Sequence, residues 1–247
     1  MDKTGLSIED LMKLVDHTRL KSFETEQSIK ALIEEAVYLK AYSVCIEPNY
    51  LETARNYIGS NHFNLKIAVV VDFPFGAGTT ETRTISVEKL AGMAEELDIV
   101  APMGYVKSGR FDLVKSDLEQ VVNSAHLNNR LIKVIVEDAY TTVAEKKKLY
   151  ELVMISRADF IKTGTGFEDD KYAASIGNKT GAQVENVRLM AELSRKYNPD
   201  IGIKAAGGIH TYSDAIALLD ASERIADPLS FRIGASSTAK IKETVVR

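Results

Sequence analysis

Eight short apolar runs recur along the chain, separated by longer segments of helical period. They are LVDHT (14–18), SVCIE (43–47), KIAVVVDF (66–73), LDIVAP (97–102), LIKVIVE (131–137), ADFIKT (158–163), IGIKAA (201–206) and SFRIGA (230–235). Their apolar character is nearly continuous rather than alternating, which predicts strands covered on both faces, as in parallel sheets. Between them, Ile29, Leu32, Ile33, Ala36, Val37 and Leu39 form one amphipathic stripe. Leu113, Leu118, Val121, Val122 and Ala125 form another, and Val187, Met190, Ala191 and Leu193 a third. Ser7 followed by Asp10 predicts an N-cap and a short helix through about Leu14. Eight strand-like runs, each followed by a helix-like one, predict a (β/α)8 TIM barrel with a short N-terminal helix. A doubly wound open sheet would show a glycine fingerprint after its first strand, and LVDHTRL has none.

No Pro- or Ser-rich linker interrupts the 247 residues, so 1–247 is read as one domain. The longest connection, EDDKYAASIGNKTGAQ (168–183), follows the sixth strand and is expected to be a mobile loop on the face where barrel active sites lie.

Composition narrows the function classes. Hydrophobic residues at 45% and charged residues at 27% are ordinary for a soluble globular protein. The formal charge of −4 argues against a nucleic-acid partner. A single cysteine, Cys45, leaves no internal disulfide and fits a reducing compartment. MDKTGLSIED lacks the apolar core of a signal peptide. No apolar run approaches the ~20 residues a membrane helix needs. The expectation is a cytoplasmic protein with no membrane partner. His17, His62, His126 and His210 share no metal-ligand spacing, so no metal is expected.

Catalytic groups of a (β/α)8 barrel sit at the C-terminal strand ends. The polar residues closing apolar runs are Asp16, Thr18, Asp98, Lys133, Lys162 and Lys204. A lysine there is ordinarily a solvated cap. Lys162 and Lys204, however, each follow an isoleucine in a short late strand, which points both into one mouth. Neighbouring ammonium groups repel and burial disfavours the charged form, so one of the pair should release its proton readily. That is how an amine nucleophile is prepared for Schiff-base formation. Asp98, within an apolar run, is either a buried counter-ion to a barrel lysine or a proton-transfer group using the same proximity. AAGGIHT (205–211) places Gly207 and Gly208 after strand seven, and RIGASS (232–237) places Gly234, Ser236 and Ser237 after strand eight. They are two ordinary turns or, by their joint position, the phosphate site usual in such barrels.

Eight blocks resemble, in order and across nearly the whole chain, the deoxyribose-phosphate aldolase family: VDHTRLK (15–21), SVCIEPNY (43–50), DFPFGAGTTETR (72–83), LDIVAPMGYVKSGR (97–110), LIKVIVE (131–137), FIKTGTGF (160–167), IKAAGGI (203–209) and FRIGASS (231–237). The resemblance implies a class I aldolase that uses lysine and needs no metal or other cofactor. It implies that Lys162 is the Schiff-base lysine, that Lys204 favours its unprotonated amine, and that Asp98 relays protons through water. It places Asp16 and Thr18 near the substrate, Thr165 and Gly166 in the substrate-facing loop, and Gly207, Gly208, Gly234, Ser236 and Ser237 around phosphate. The implied reaction is reversible cleavage of 2-deoxy-D-ribose 5-phosphate to acetaldehyde and D-glyceraldehyde 3-phosphate, in carbohydrate degradation. The implied partners are a small phosphorylated sugar and a short aldehyde, with a homo-oligomer of two or more copies expected. A related lysine aldolase for another phosphorylated sugar, or a catalytically silent sugar-phosphate-binding barrel, is the alternative.

The chain departs from the family pattern at several places. Gly164 stands where serine is usual, His210 where arginine is common, and Ala101–Pro102–Met103 for Ile-Asn-Ile. The 168–183 segment is longer than usual. Some members end in a helpful tyrosine, whereas this chain ends TVVR. These changes bear on acceptor specificity more than on lysine chemistry.

Overall fold

A computed structural model describes residues 5–244; the final VVR and most of MDKTG lie outside them. The eight predicted runs form eight parallel strands that close into a barrel in sequence order. They are β1 (Val15–Thr18), β2 (Ser43–Ile46), β3 (Lys66–Val71), β4 (Glu96–Val100), β5 (Leu131–Ile135), β6 (Phe160–Lys162), β7 (Gly202–Ala206) and β8 (Phe231–Ala235). Closure is made by β8 pairing with β1, with Asp16 opposite Gly234. All strand residues except Thr18, Lys66, Leu131 and Gly234 are buried, which is why the runs carry no alternation.

The outer ring is amphipathic. Helix α1 (Ile8–Met12) is capped by Ser7, whose hydroxyl accepts from the Asp10 N–H, and it ends two residues before the predicted limit. Helices α2 (Glu26–Leu39), α3 (Leu51–Ser60) and α4 (Thr80–Ala91) follow β1, β2 and β3 in turn, then α5 (Met103–Lys107) and α6 (Phe111–Leu127) after β4, and α7 (Val143–Ile155) after β5. Thr25 and Thr142 close capping boxes with Ser28 and Glu145, satisfying N–H groups that α2 and α7 would otherwise leave open. The predicted stripes are the buried faces of α2, α6 and α9 (Val184–Tyr197).

The 168–183 segment differs from its expectation as a mobile loop. It contains α8 (Asp170–Ser175), capped by the Asp169 carboxylate accepting from Tyr172 N–H at 2.8 Å. Asn178 donates to the carbonyls of Asp138, Ala139 and Thr141 at 3.2, 3.0 and 2.9 Å. The Ala182 N–H reaches Gly207 O at 2.9 Å, so the segment is packed against the turn after β7. Asn178 is taken up by backbone carbonyls of the loop after β5, while Asp169, Asp170, Lys171 and Lys179 are exposed as the sequence reads. After β7 and β8 come α10 (Tyr212–Ala221) and α11 (Thr238–Glu243). Among the described residues no helix is long and apolar enough to cross a membrane.

Candidate active site

The barrel interior carries charge where apolar packing is the default. Strand register sets the arrangement: Asp98 lies opposite Lys133, Lys162 opposite Lys204, and Lys204 opposite Arg232. Asp98 sits at the centre. Its Oδ1 accepts from Lys133 Nζ at 2.8 Å, and its Oδ2 accepts from both Lys162 at 2.9 Å and Lys204 at 2.8 Å. Lys204 also reaches Asp16 at 2.5 Å, and Lys133 reaches Glu96 at 2.6 Å. Arg232 holds Glu96 at 2.8 Å and pairs with Asp16. Ser43 donates to Asp16 at 2.7 Å.

Isolated buried charges would be prohibitively costly, and this cluster is tolerable because every member has a counter-ion. Burial opposes the Asp98 carboxylate, but Lys133, Lys162 and Lys204 overcome it and hold its pKa well below the usual range. Burial likewise works against the Lys204 ammonium, and Asp16 and Asp98 more than offset it, so Lys204 is held charged beyond an ordinary lysine. The two lysines therefore do not face each other bare, as a like-charge pair would: a shared carboxylate oxygen lies between them. Asp98, read from sequence as counter-ion or proton-transfer group, is the buried counter-ion of three lysines.

Above this cluster, at the C-terminal strand ends, opens a cavity of about 300 Å³. Lys162 is on its floor. Thr18, Thr165, Gly166, Gly207, Gly208, Gly234 and Ser236 line its wall. Gly207 and Gly208 have φ of 95° and 69°, the left-handed region where glycine is at no disadvantage. Four predicted residues lie off the wall for physical reasons. Lys204 and Asp98 are beneath Lys162, fully buried. Asp16, expected beside substrate, is locked under the floor by Arg232, Lys204 and Ser43. Ser237 also misses the wall, because the chain turns there to begin α11. His210 lines the cavity with its side chain exposed.

Sequence reasoning picked out Lys133 as a polar strand residue without giving it a role, and passed over Glu96, Arg232 and Glu137. A carboxylate pair two residues apart, Glu96 and Asp98 in one apolar strand, was the available signal for a buried cluster holding Glu96 and Arg232, since alternate strand residues share a face. Glu137 gives no such signal. It sits just past β5 at φ 46°, and accepts from Thr165 N–H at 3.1 Å and Thr165 hydroxyl at 2.5 Å. It thereby fixes the loop after Lys162. The same clamp explains Gly164: a Cβ there would lie 2.4 Å from Glu168 Oε1 and 3.0 Å from Glu137 Oε1. The space a serine would need is filled by the Glu168 carboxylate.

Burial, with Glu168 adding to it against the Thr165 hydrogen bonds, pushes the Glu137 carboxyl up to about 8. A carboxyl that is harder to ionise folded than unfolded binds extra protons in the folded state, so its stabilising effect fades as pH rises from its ordinary 4.5 towards about 8. Glu137→Gln should flatten that slope, measured as urea-unfolding free energy across the window from pH 4.5 to about 8. An unchanged slope would remove Glu137 as its source.

A closed (β/α)8 barrel with a lysine at the floor of a strand-end cavity, backed by a buried carboxylate, is the arrangement of an enzyme acting on a small polar molecule. A family model described as DeoC/LacD family aldolase matches residues 11–238. The chain is similar to a deoxyribose-phosphate aldolase of Thermoplasma volcanium, 46% identical over 237 residues that cover 96% of this chain and 95% of the other. It is 40% identical to one of Thermococcus gammatolerans, over 95% of this chain and 96% of that one. Among solved structures, a putative deoxyribose-phosphate aldolase from Coccidioides immitis superposes with a TM-score of 0.84 at 27% identity, covering 98% of this chain and 88% of that one. Another from Aeropyrum pernix, described as tetrameric, gives 0.79 at 25%, covering 96% and 91%. The protein belongs to the DeoC/LacD aldolase family, and it is an enzyme of the aldolase class.

Proposed function

We propose that the protein cleaves 2-deoxy-D-ribose 5-phosphate reversibly to acetaldehyde and D-glyceraldehyde 3-phosphate through a Schiff base on Lys162. The observation that carries this reading is Lys162 Nζ, the one ammonium of the buried cluster on the cavity wall, 2.9 Å from Asp98 Oδ2. In the cleavage direction, Nζ adds to the C1 aldehyde of the open-chain sugar, and loss of water gives an iminium. The iminium is an electron sink, so the C2–C3 bond breaks as the C3 hydroxyl loses its proton. Glyceraldehyde 3-phosphate departs and an enamine remains. Protonation at C2 regenerates an iminium, and hydrolysis releases acetaldehyde.

Charge balance favours Lys162 for the neutral role. The cluster holds four cations, Lys133, Lys162, Lys204 and Arg232, against three carboxylates, Asp16, Glu96 and Asp98. With Lys162 unprotonated, three face three. Asp98 accepts its proton through water and returns it at the carbinolamine and enamine steps, while Lys204 and Lys133 keep Asp98 in place. The turns at Gly207–Gly208 and Gly234–Ser236 offer backbone N–H groups and a hydroxyl to the 5-phosphate. Assaying aldehyde release across phosphorylated keto- and deoxy-sugars tests the proposed substrate: 2-deoxyribose 5-phosphate should give the highest kcat/KM. A different sugar phosphate ahead of it would reassign the substrate, and no cleavage of any would leave a silent binding barrel.

A further inference from the structure

We infer that Lys21, on the loop after β1, is a phosphate-recognising side chain of this cavity and sets its preference for phosphorylated over unphosphorylated sugars; this rests on the aldolase reading above. The wall carries three lysines or arginines: Arg19, Lys21 and Lys162. Lys162 is held by Asp98. Arg19 is committed to Ser28 O at 3.2 Å and Glu35 at 3.8 Å. Lys21 alone of the three has no carboxylate within ion-pair reach among the described residues. The nearest wall acid, Glu24, accepts instead from Ser28 Oγ at 2.6 Å.

What Lys21 does touch is the Phe167 ring, with its ammonium 3.9 Å from the centroid. That ring is a built platform. Its face is fixed by an edge contact with Phe73 at 5.3 Å, and the Phe167 backbone N–H donates to Thr165 Oγ1 at 3.0 Å, the same hydroxyl that Glu137 clamps. The contact spans the β1 and β6 loops across the cavity mouth, so the ammonium is stationed at the entrance rather than roaming in solvent. A cation over an exposed ring is bound more weakly than in a charge-assisted hydrogen bond to phosphate. A dianionic phosphate seated on the Gly207–Gly208 turn therefore draws Lys21 off the ring, and an uncharged hydroxymethyl group does not.

The test compares Lys21→Met and Lys21→Arg with the unaltered enzyme on 2-deoxyribose 5-phosphate and on 2-deoxyribose. Lys21→Met should raise KM for the phosphorylated sugar by about ten- to a hundredfold, the range of one lost charge-assisted hydrogen bond, with kcat nearly unchanged. Its kcat/KM on 2-deoxyribose should stay within about twofold. Lys21→Arg should recover most of the loss. Equal losses on both sugars, or no rise in KM for the phosphorylated one, would overturn the inference. Calorimetric titration with inorganic phosphate reads Lys21 without turnover: the affinity should fall in Lys21→Met, and equal affinities would count against it. Borohydride trapping with acetaldehyde, which carries no phosphate, should be unaffected by Lys21→Met. If the unaltered enzyme neither traps nor cleaves, the aldolase reading fails, and the phosphate titration still decides Lys21.

Discussion

Replacing Lys162 by methionine is expected to reduce aldehyde release at least about 10,000-fold, the scale lost when a covalent nucleophile is removed. The amine is the group that forms the bond, so no neighbour can substitute for it. Lys204 is the same residue type one strand away, but it is fully buried and fixed between Asp16 and Asp98. The fold should survive the change. Methionine keeps a long flexible stem in place, and three cations then match three carboxylates, so the unfolding free energy should move by no more than about 1.5 kcal/mol. Activity measured by coupled aldehyde assay, alongside thermal unfolding, separates the two effects. Substantial residual turnover with a normal melting temperature would mean that another group carries the carbonyl chemistry.

Asp98→Asn should damage both stability and catalysis. The carboxylate accepts from Lys133, Lys162 and Lys204, all buried, and an amide offers a single acceptor oxygen while turning N–H groups toward an ammonium. Leaving buried cations short of a counter-ion costs about 3–5 kcal/mol, which corresponds to roughly 10 °C in melting temperature for a chain of this size. The pH dependence has a defined sign. A carboxyl depressed in the folded state contributes stability above its ordinary value of 3.8, and the contribution disappears as pH falls through its much lower folded value. The gap between the variant and the unaltered protein should therefore be full at neutral pH and narrow only in strong acid. A variant as stable as the parent would show that Lys133 and Lys204 find counter-charge elsewhere. A stable variant with normal turnover would also remove Asp98 from the proton relay.

The strands were legible because a parallel barrel buries both faces of every strand, and that leaves near-continuous apolar runs in the sequence. Helix starts were legible where a hydroxyl caps them, as at Ser7, whose role depends only on residues three positions away. Lys162 and Lys204 stood out as polar ends of such runs. The rest of the cluster did not, because Glu96 and Arg232 join it, and Lys133 finds its partners, only through register across β4–β5 and closure through β8. A charge inside one strand carries no mark of which strand supplies its partner. Glu137 clamping Thr165, and Lys21 resting on Phe167, were equally hidden, being contacts between loops. The 168–183 segment failed for a related reason. Asp169, Asp170, Lys171 and Lys179 are solvent-facing as they read, but Asn178 satisfies three carbonyls of the loop after β5 and so ties the segment down.

The central claim is that the Lys162 amine forms the bond to the aldehyde. Treating the enzyme with acetaldehyde and borohydride, followed by peptide mapping by mass spectrometry, reads that bond directly. The account predicts one added ethyl group, located on Lys162, and none in Lys162→Met. An ethyl group fixed on Lys204 or another lysine, or an active enzyme that traps nothing, would contradict it.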